Sequence, residues 1–421
     1  MPTGHFVFKD PTFEFEFIRL LGYAPFDGAD IAECVATALR ITDGDFESWY
    51  REWCDTAQQV KAQGMAASRH GDEVGARNAF LRASNYYRSA EFFLHGNPTD
   101  PRVVATWQLS VDAFRLALGF FKTNVELVEI PYENTTLPGY LFYSSDYHKG
   151  KNEARPLLIH HGGFDSIQEE CYFMSAAGAI SRGYHTLIFE GPGQGGVLRK
   201  QNIRFRPDWE AVVTPVVDWA LKREEIDPLK IALMGTSLGG FLAVRAAAFE
   251  YRLAACISID GFYDFWEVGK AKMPAAFMSL WETGMLSDSM VSSLVAGICK
   301  YSPSLRWEIA HTLYSFGVEN FADAVTEIKR YNLKDGVAEK VRCPTLITGA
   351  EKSIYYTPES QNRPIYDHLT CKQKTYMLFA EEDAGGVHCK MGGLLLCHQK
   401  CFEWLDKQLD IKRATRELIN N

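Results

Sequence analysis

Residues 230–247 read KIALMGTSLGGFLAVRAA. An apolar run, KIALM, passes straight into Gly235-Thr236-Ser237-Leu238-Gly239-Gly240, and an alanine-rich helical pattern follows. Gly-x-Ser-x-Gly between a buried strand and a helix places the serine on a sharp, strained turn, with its side chain clear of the sheet's carboxyl end. The glycines are required because a side chain there would strike the neighbouring strand or helix. The helix begins beneath the serine, so its dipole favours negative charge developing at that point. Ser237 is therefore the candidate nucleophile.

Working outward, the chain from residue 124 onward alternates short apolar runs with helical stretches. VELVEIPYE and LPGYLFYSS fit an antiparallel pair. RPLLIHHGG, YHTLIFEGPGQG, KIALMGTSLGG, AACISIDG, CPTLITGAE and KTYMLFAEED each read as a strand ending in glycine, acid or turn residues. Strands alternating with helices imply a mostly parallel sheet covered on both faces, an α/β fold. About 80 residues of helical character separate the fourth and fifth parallel strands, too long for a connection. The segment 262–340 is expected to be an inserted cap. Before residue 122, DIAECVATALRI, SWYREWCDTAQQVKAQGMAASRHG and DEVGARNAFLRASNYYRSAEFFLHG space apolar residues three and four apart. This predicts an N-terminal helical domain over 1–122 ahead of a core over 123–421. That domain either roofs a pocket or builds a homodimer interface.

The sheet order suggests where the rest of a catalytic site should lie. LLIHHGGFDS, two strands before the elbow, can present backbone N–H groups to an oxyanion: that of Leu238, with Gly163 or Phe164 as the second donor. Asp165 either meets substrate, holding a hydroxyl or assisting proton transfer, or caps the following helix. After the last strand, FAEEDAGGVHCKMGG offers His388 as the general base, whereas His398 reads as a packing residue within the terminal helix. The acid is open. TLITGAEKSIYYTP, residues 345–358, holds Lys352 and Ser353 where an aspartate is expected; Glu351, one residue earlier, is the first choice. Asp260 and Asp264 in SIDGFYDF, Glu359, or no acid at all are the alternatives. GPGQGG at 191–196 lacks the Lys-Ser/Thr of a phosphate-binding loop and reads as a tight turn.

Composition narrows the partners. A net charge of −9 disfavours nucleic acid and anionic membrane. The first residues carry no charged-then-apolar leader pattern, and no run approaches the roughly 18 apolar residues of a membrane span. Ten scattered cysteines without paired CxxC motifs argue for reduced thiols in a cytoplasmic protein, and against a metal site. No cofactor is expected.

HHGGFDS, FEGPGQGG, GTSLGG, SIDGFYDF and GGVHC, with the helical FLRASNYYRSAEFF ahead of them, make the chain resemble the α/β-hydrolase superfamily. More narrowly, it is similar to fungal polyketide-pathway hydrolases of the yellowish-green-pigment and fusarin-cluster types. The bacterial 2,6-dihydroxypseudooxynicotine hydrolase is a more distant likeness. The resemblance implies an α/β-hydrolase fold, a Ser–His–acid site at Ser237 and His388, and an acid near Glu351–Ser353. It further implies a polyketide-like substrate, free or carrier-bound, cleaved at a carbon–carbon, ester or thioester bond.

Overall fold

The computed structural model describes residues 6–148 and 153–413. The outermost residues of the limits 1–122 and 123–421 (1–5 and 414–421) lie outside it.

Eight strands form one sheet in the order β1-β2-β4-β3-β5-β6-β7-β8. They are β1 (Val125–Tyr132), β2 (Thr135–Phe142), β3 (Arg155–His161), β4 (His185–Phe189), β5 (Ile226–Thr236), β6 (Ala255–Ile259), β7 (Thr345–Ala350) and β8 (Lys374–Phe379). β1 and β2 pair antiparallel, as does β2 with β4, and β3 to β8 pair in parallel. The eight strand candidates of the sequence are these eight strands. Every residue of β4, β6 and β7 is buried, which is why they read as unbroken apolar runs: helices cover both faces.

Among the described residues, five α-helices lie before the sheet: α1 (Pro11–Leu21), α2 (Ile31–Ala38), α3 (Phe46–His70), α4 (Glu73–Phe92) and α5 (Pro101–Leu118). Asp72 caps α4 through the Gly75 N–H, as its position suggested. α1 falls inside the expected helical domain, although none of the segments named there covers it. Its alternating FEFEF fits a strand period, yet Asp10 accepts from Thr12 and Phe13 N–H, and Pro11 opens the first turn. Those two signals, together with burial of Phe13 against Trp49 and Phe93 and of Phe17 in the same cluster, settle the helix. Between β6 and β7 lie five helices, from Phe265–Lys270 to Phe321–Ile328, within the expected cap. No helix among the described residues is long and apolar enough to cross a membrane.

Candidate active site

Ser237 stands between the end of β5 and the helix Leu238–Ala247, with φ +58° and ψ −124°. A side chain is rarely held in that backbone region, and close packing enforces it here. A Cβ on Gly235 would lie 1.9 Å from the Gly239 carbonyl oxygen, and one on Gly239 would lie 2.3 Å from that of Gly162. The Ser237 N–H is tied to the Ile259 carbonyl of β6 at 2.8 Å. Ser237 is the one residue between 231 and 240 that is not buried. Its Oγ lies 3.0 Å from Nε2 of His388, which comes from the loop after β8, so the chain order serine-then-histidine closes in space.

The other face of the imidazole departs from expectation. Nδ1 lies 3.1 Å from the Ser353 hydroxyl and 3.9 Å from Oδ2 of Asp260. Glu351, the first choice for the acid, is exposed and turns away, its carboxylate accepting the Glu381 N–H at 2.8 Å. The cause is its place one residue beyond β7, where its own N–H is bonded to the Phe379 carbonyl of β8 and its side chain follows that edge outward. Asp264 is spent as the N-cap of the helix Phe265–Lys270 and pairs with Lys334. Glu359 is exposed. Asp260 alone of the four candidate acids reaches the histidine's surroundings. It leaves β6 with φ +49° and is fully buried. It accepts the Cys389 N–H at 2.6 Å and the Thr348 hydroxyl at 3.2 Å, and pairs with the ammonium of Lys390. Burial pushes the His388 imidazole down to about 4; Asp260 opposes this, while Lys390 and Arg19 add to it.

The loop after β3 lies against the elbow. Gly163 donates its N–H to the Ser166 hydroxyl at 3.3 Å, whereas the N–H groups of Phe164 and Leu238 donate to no protein group among the described residues. Its carbonyls are held from two sides. Gln194 Nε2 donates to Gly162 O at 2.7 Å and Gly163 O at 3.2 Å, and His311 Nε2 donates to Phe164 O at 2.9 Å. The GPGQGG turn is thus a brace for this loop, with Glu190 accepting the N–H groups of Gln168 and Gly196. Burial pushes His311 down to about 3, so it stays neutral and can donate from Nε2.

Asp165 neither caps a helix nor stands ready to give a proton. Arg19 of α1 donates to it at 2.8 Å and grips Glu170 with two bonds of 2.6 Å. Arg19 and Arg88 hold the Asp165 carboxyl well below its usual range against the cost of burial. Glu16, Arg19, Arg88, Asp165 and Glu170 form one buried network tying the N-terminal helices to the β3 loop.

Above Ser237 and His388 lies a cavity of about 550 Å³, within the range of small-molecule sites. Phe15 of α1 and Phe265, Trp266, Phe277 and Trp307 of the cap line it, beside Phe164. Ser237, Leu238, Phe164, Asp165 and His388 all meet there, and Glu351 does not. Phe15, Arg19 and Tyr355 are not legible as site residues in the sequence, and Ser353, named there only as standing where an acid is expected, is the Nδ1 partner; the Asp10-Pro11 entry to α1 is the signal that could have found the first two. Asp260, His388 and Cys389 bring ligand atoms within 4.8 Å of one another. Lys390 already balances the carboxylate, however, and burial pushes the Cys389 thiol well up, which disfavours the thiolate a metal needs.

A family model described as "Alpha/beta hydrolase family" matches residues 157–392. The chain is 41% identical over 417 residues to "Hydrolase LUC6" of Fusarium sp, covering 97% of this chain and 99% of the relative. It is 42% identical over 417 residues to "20-hydroxy-prefusarin hydrolase FUS2" of Gibberella moniliformis, again covering 97% and 99%. Among solved structures it is similar to the 2,6-dihydroxy-pseudo-oxynicotine hydrolase, with a TM-score of 0.72 at 21% identity. That match spans 94% of this chain and 98% of the other, a likeness of fold. Elbow, parallel sheet and matching relatives agree: the chain is an enzyme of the α/β-hydrolase family.

Proposed function

We propose that the protein is a serine hydrolase acting on a large, apolar, polyketide-like carbonyl compound. The observation that carries this is the 3.0 Å contact between His388 Nε2 and Ser237 Oγ, at a strained elbow facing an aromatic cavity. Ser237 Oγ attacks the carbonyl carbon while its proton passes to His388 Nε2. The resulting oxyanion is received by the N–H groups of Leu238 and Phe164. Ser353 takes the Nδ1 hydrogen bond, with Asp260 as the carboxylate behind it. For an ester or thioester, collapse expels the alcohol or thiol, protonated by His388. For a 1,3-diketone, the C–C bond breaks, its electron pair passes into the enolate of the departing ketone, and His388 Nε2–H returns the proton. Asp165, held ionised by Arg19, has no proton to give. Water then releases the acyl group from Ser237.

A cavity of this size and lining favours a substrate with extended apolar surface over a small charged ester. A relative carries the name 20-hydroxy-prefusarin hydrolase, which supports that substrate class. The test is mass spectrometry after treatment with an activated alkyl phosphonate, with Ser237→Ala alongside. One adduct on Ser237, absent in the variant, is expected; folded protein that takes none refutes the reading. Hydrolysis of apolar 1,3-diketones beside aryl esters then separates the two bond classes.

A further inference from the structure

We propose that Lys390 is a positioning residue for the catalytic histidine: its buried ammonium balances Asp260, leaving the His388 Nδ1–H to the neutral hydroxyl of Ser353. This rests on Ser237 and His388 being nucleophile and base.

Lys390 follows His388 by two residues, and both it and Cys389 have positive φ, 61° and 58°. That reversal turns the lysine inward, where it is fully buried. Its ammonium pairs with Asp260 Oδ1, and it lies 4.8 Å from the centre of the Phe379 ring. A lysine with no anion would not be tolerated at such depth, and an apolar side chain would fill the same space at less cost.

Its effect is legible in the bonds of Asp260. Oδ1 is taken by Lys390 and Thr348, and Oδ2 by the Cys389 N–H. The carboxylate is thereby held 3.9 Å from Nδ1, beyond hydrogen-bond reach, while Ser353 Oγ sits at 3.1 Å. An unbalanced carboxylate at that range favours imidazolium by about one to three pH units. The other groups facing the ring are Arg19 of α1 and Asp165 of the β3 loop, themselves paired, with the neutral Tyr355, Tyr356 and Phe15. The net charge that Asp260 and Lys390 present to His388 is near zero. Such a base stays neutral, and so able to take the Ser237 proton, in mildly acidic surroundings.

The test compares wild type with Lys390→Met and with Asp260→Asn/Lys390→Met. Two quantities are read against pH: the phosphonylation rate at Ser237, and the His388 ring resonances in isotopically labelled full-length protein. Lys390→Met should move the acid limb and the His388 titration upward by at least about one unit. The double variant should leave both within a few tenths of wild type. A folded Lys390→Met that is slower with an unmoved limb overturns the proposal, since a merely structural lysine would behave so. If Lys390→Met does not fold, the double variant decides: a His388 titration lowered by a unit or more means that Asp260 was never balanced. Absence of any Ser237 adduct in wild type refutes the hydrolase reading alone, because the His388 resonances still report the charge balance.

Discussion

Replacing Gly163 by alanine would set a methyl carbon 2.6 Å from the Thr236 carbonyl oxygen, 3.1 Å from the Leu238 nitrogen and 3.2 Å from that of Gly239. The first contact is with backbone at the mouth of the elbow, which cannot swing aside as a long side chain would. The second is with the nitrogen whose N–H is the proposed oxyanion donor, at about the 2.7–3.1 Å at which a bound oxyanion would stand. The methyl therefore crowds the proposed oxyanion site. Losing one such donor slows acyl transfer by about 10²–10³, or about 2.7–4 kcal/mol of transition-state stabilisation. Overpacking costs stability about 1–3 kcal/mol, which a domain with an ordinary margin survives. The assay is steady-state hydrolysis of an aryl ester together with the phosphonylation rate of Ser237, after circular dichroism shows a folded protein. Gly297→Ala is the control, since a Cβ there meets nothing within 4 Å. A folded Gly163→Ala with kcat/KM within threefold of wild type would refute the assignment of the oxyanion site.

Arg19→Met should destabilise the protein by about 3–5 kcal/mol, because it strands the buried carboxylates of Glu16, Asp165 and Glu170 beside Arg88 alone. Arg51→Met, at an exposed pair, should change the urea midpoint little; equal effects of the two would contradict the network. Stability should also fall in mild acid. Burial lowers His160 and His311 to about 3, and His161, His185, His388 and His398 to about 4. Each folded value is below the unfolded one near 6.5, so the unfolded chain takes up more protons as pH drops. The contribution of these histidines is complete above about 6.5 and is lost towards 4, by on the order of 1 kcal/mol per pH unit for each histidine. Urea midpoints at pH 7, 6 and 5 measure this, and a midpoint constant across that range would contradict it.

The strands, the elbow and the histidine were legible because each is written in a local run. β3 to β8 are short apolar stretches closed by turn residues. The glycines around Ser237 answer a steric demand of their own neighbourhood, and His388 follows the last strand directly. α1 lay within the expected helical domain but was not legible as a helix of its own, because FEFEF carries the period of a strand, while the packing that makes it a helix comes from Trp49 and Phe93, far along the chain. With it went Phe15 and Arg19, which close the cavity.

The sequence left the partner of His388 open among several residues, Asp260 included, and its first choice was Glu351. Glu351 is nearer the expected position in sequence than Asp260 is, yet it points along the β8 edge while Asp260 turns inward at φ +49°. Sequence by itself determined the fold and singled out Ser237 and His388, which the structure brings to 3.0 Å, since those readings depend on strand pattern and on residues adjacent in the chain. Only the tertiary structure decided which groups surround the imidazole. That choice rests on side chains from β6, β7 and the loop after β8 converging within 4 Å, and on a buried lysine whose charge has meaning only beside the carboxylate it meets.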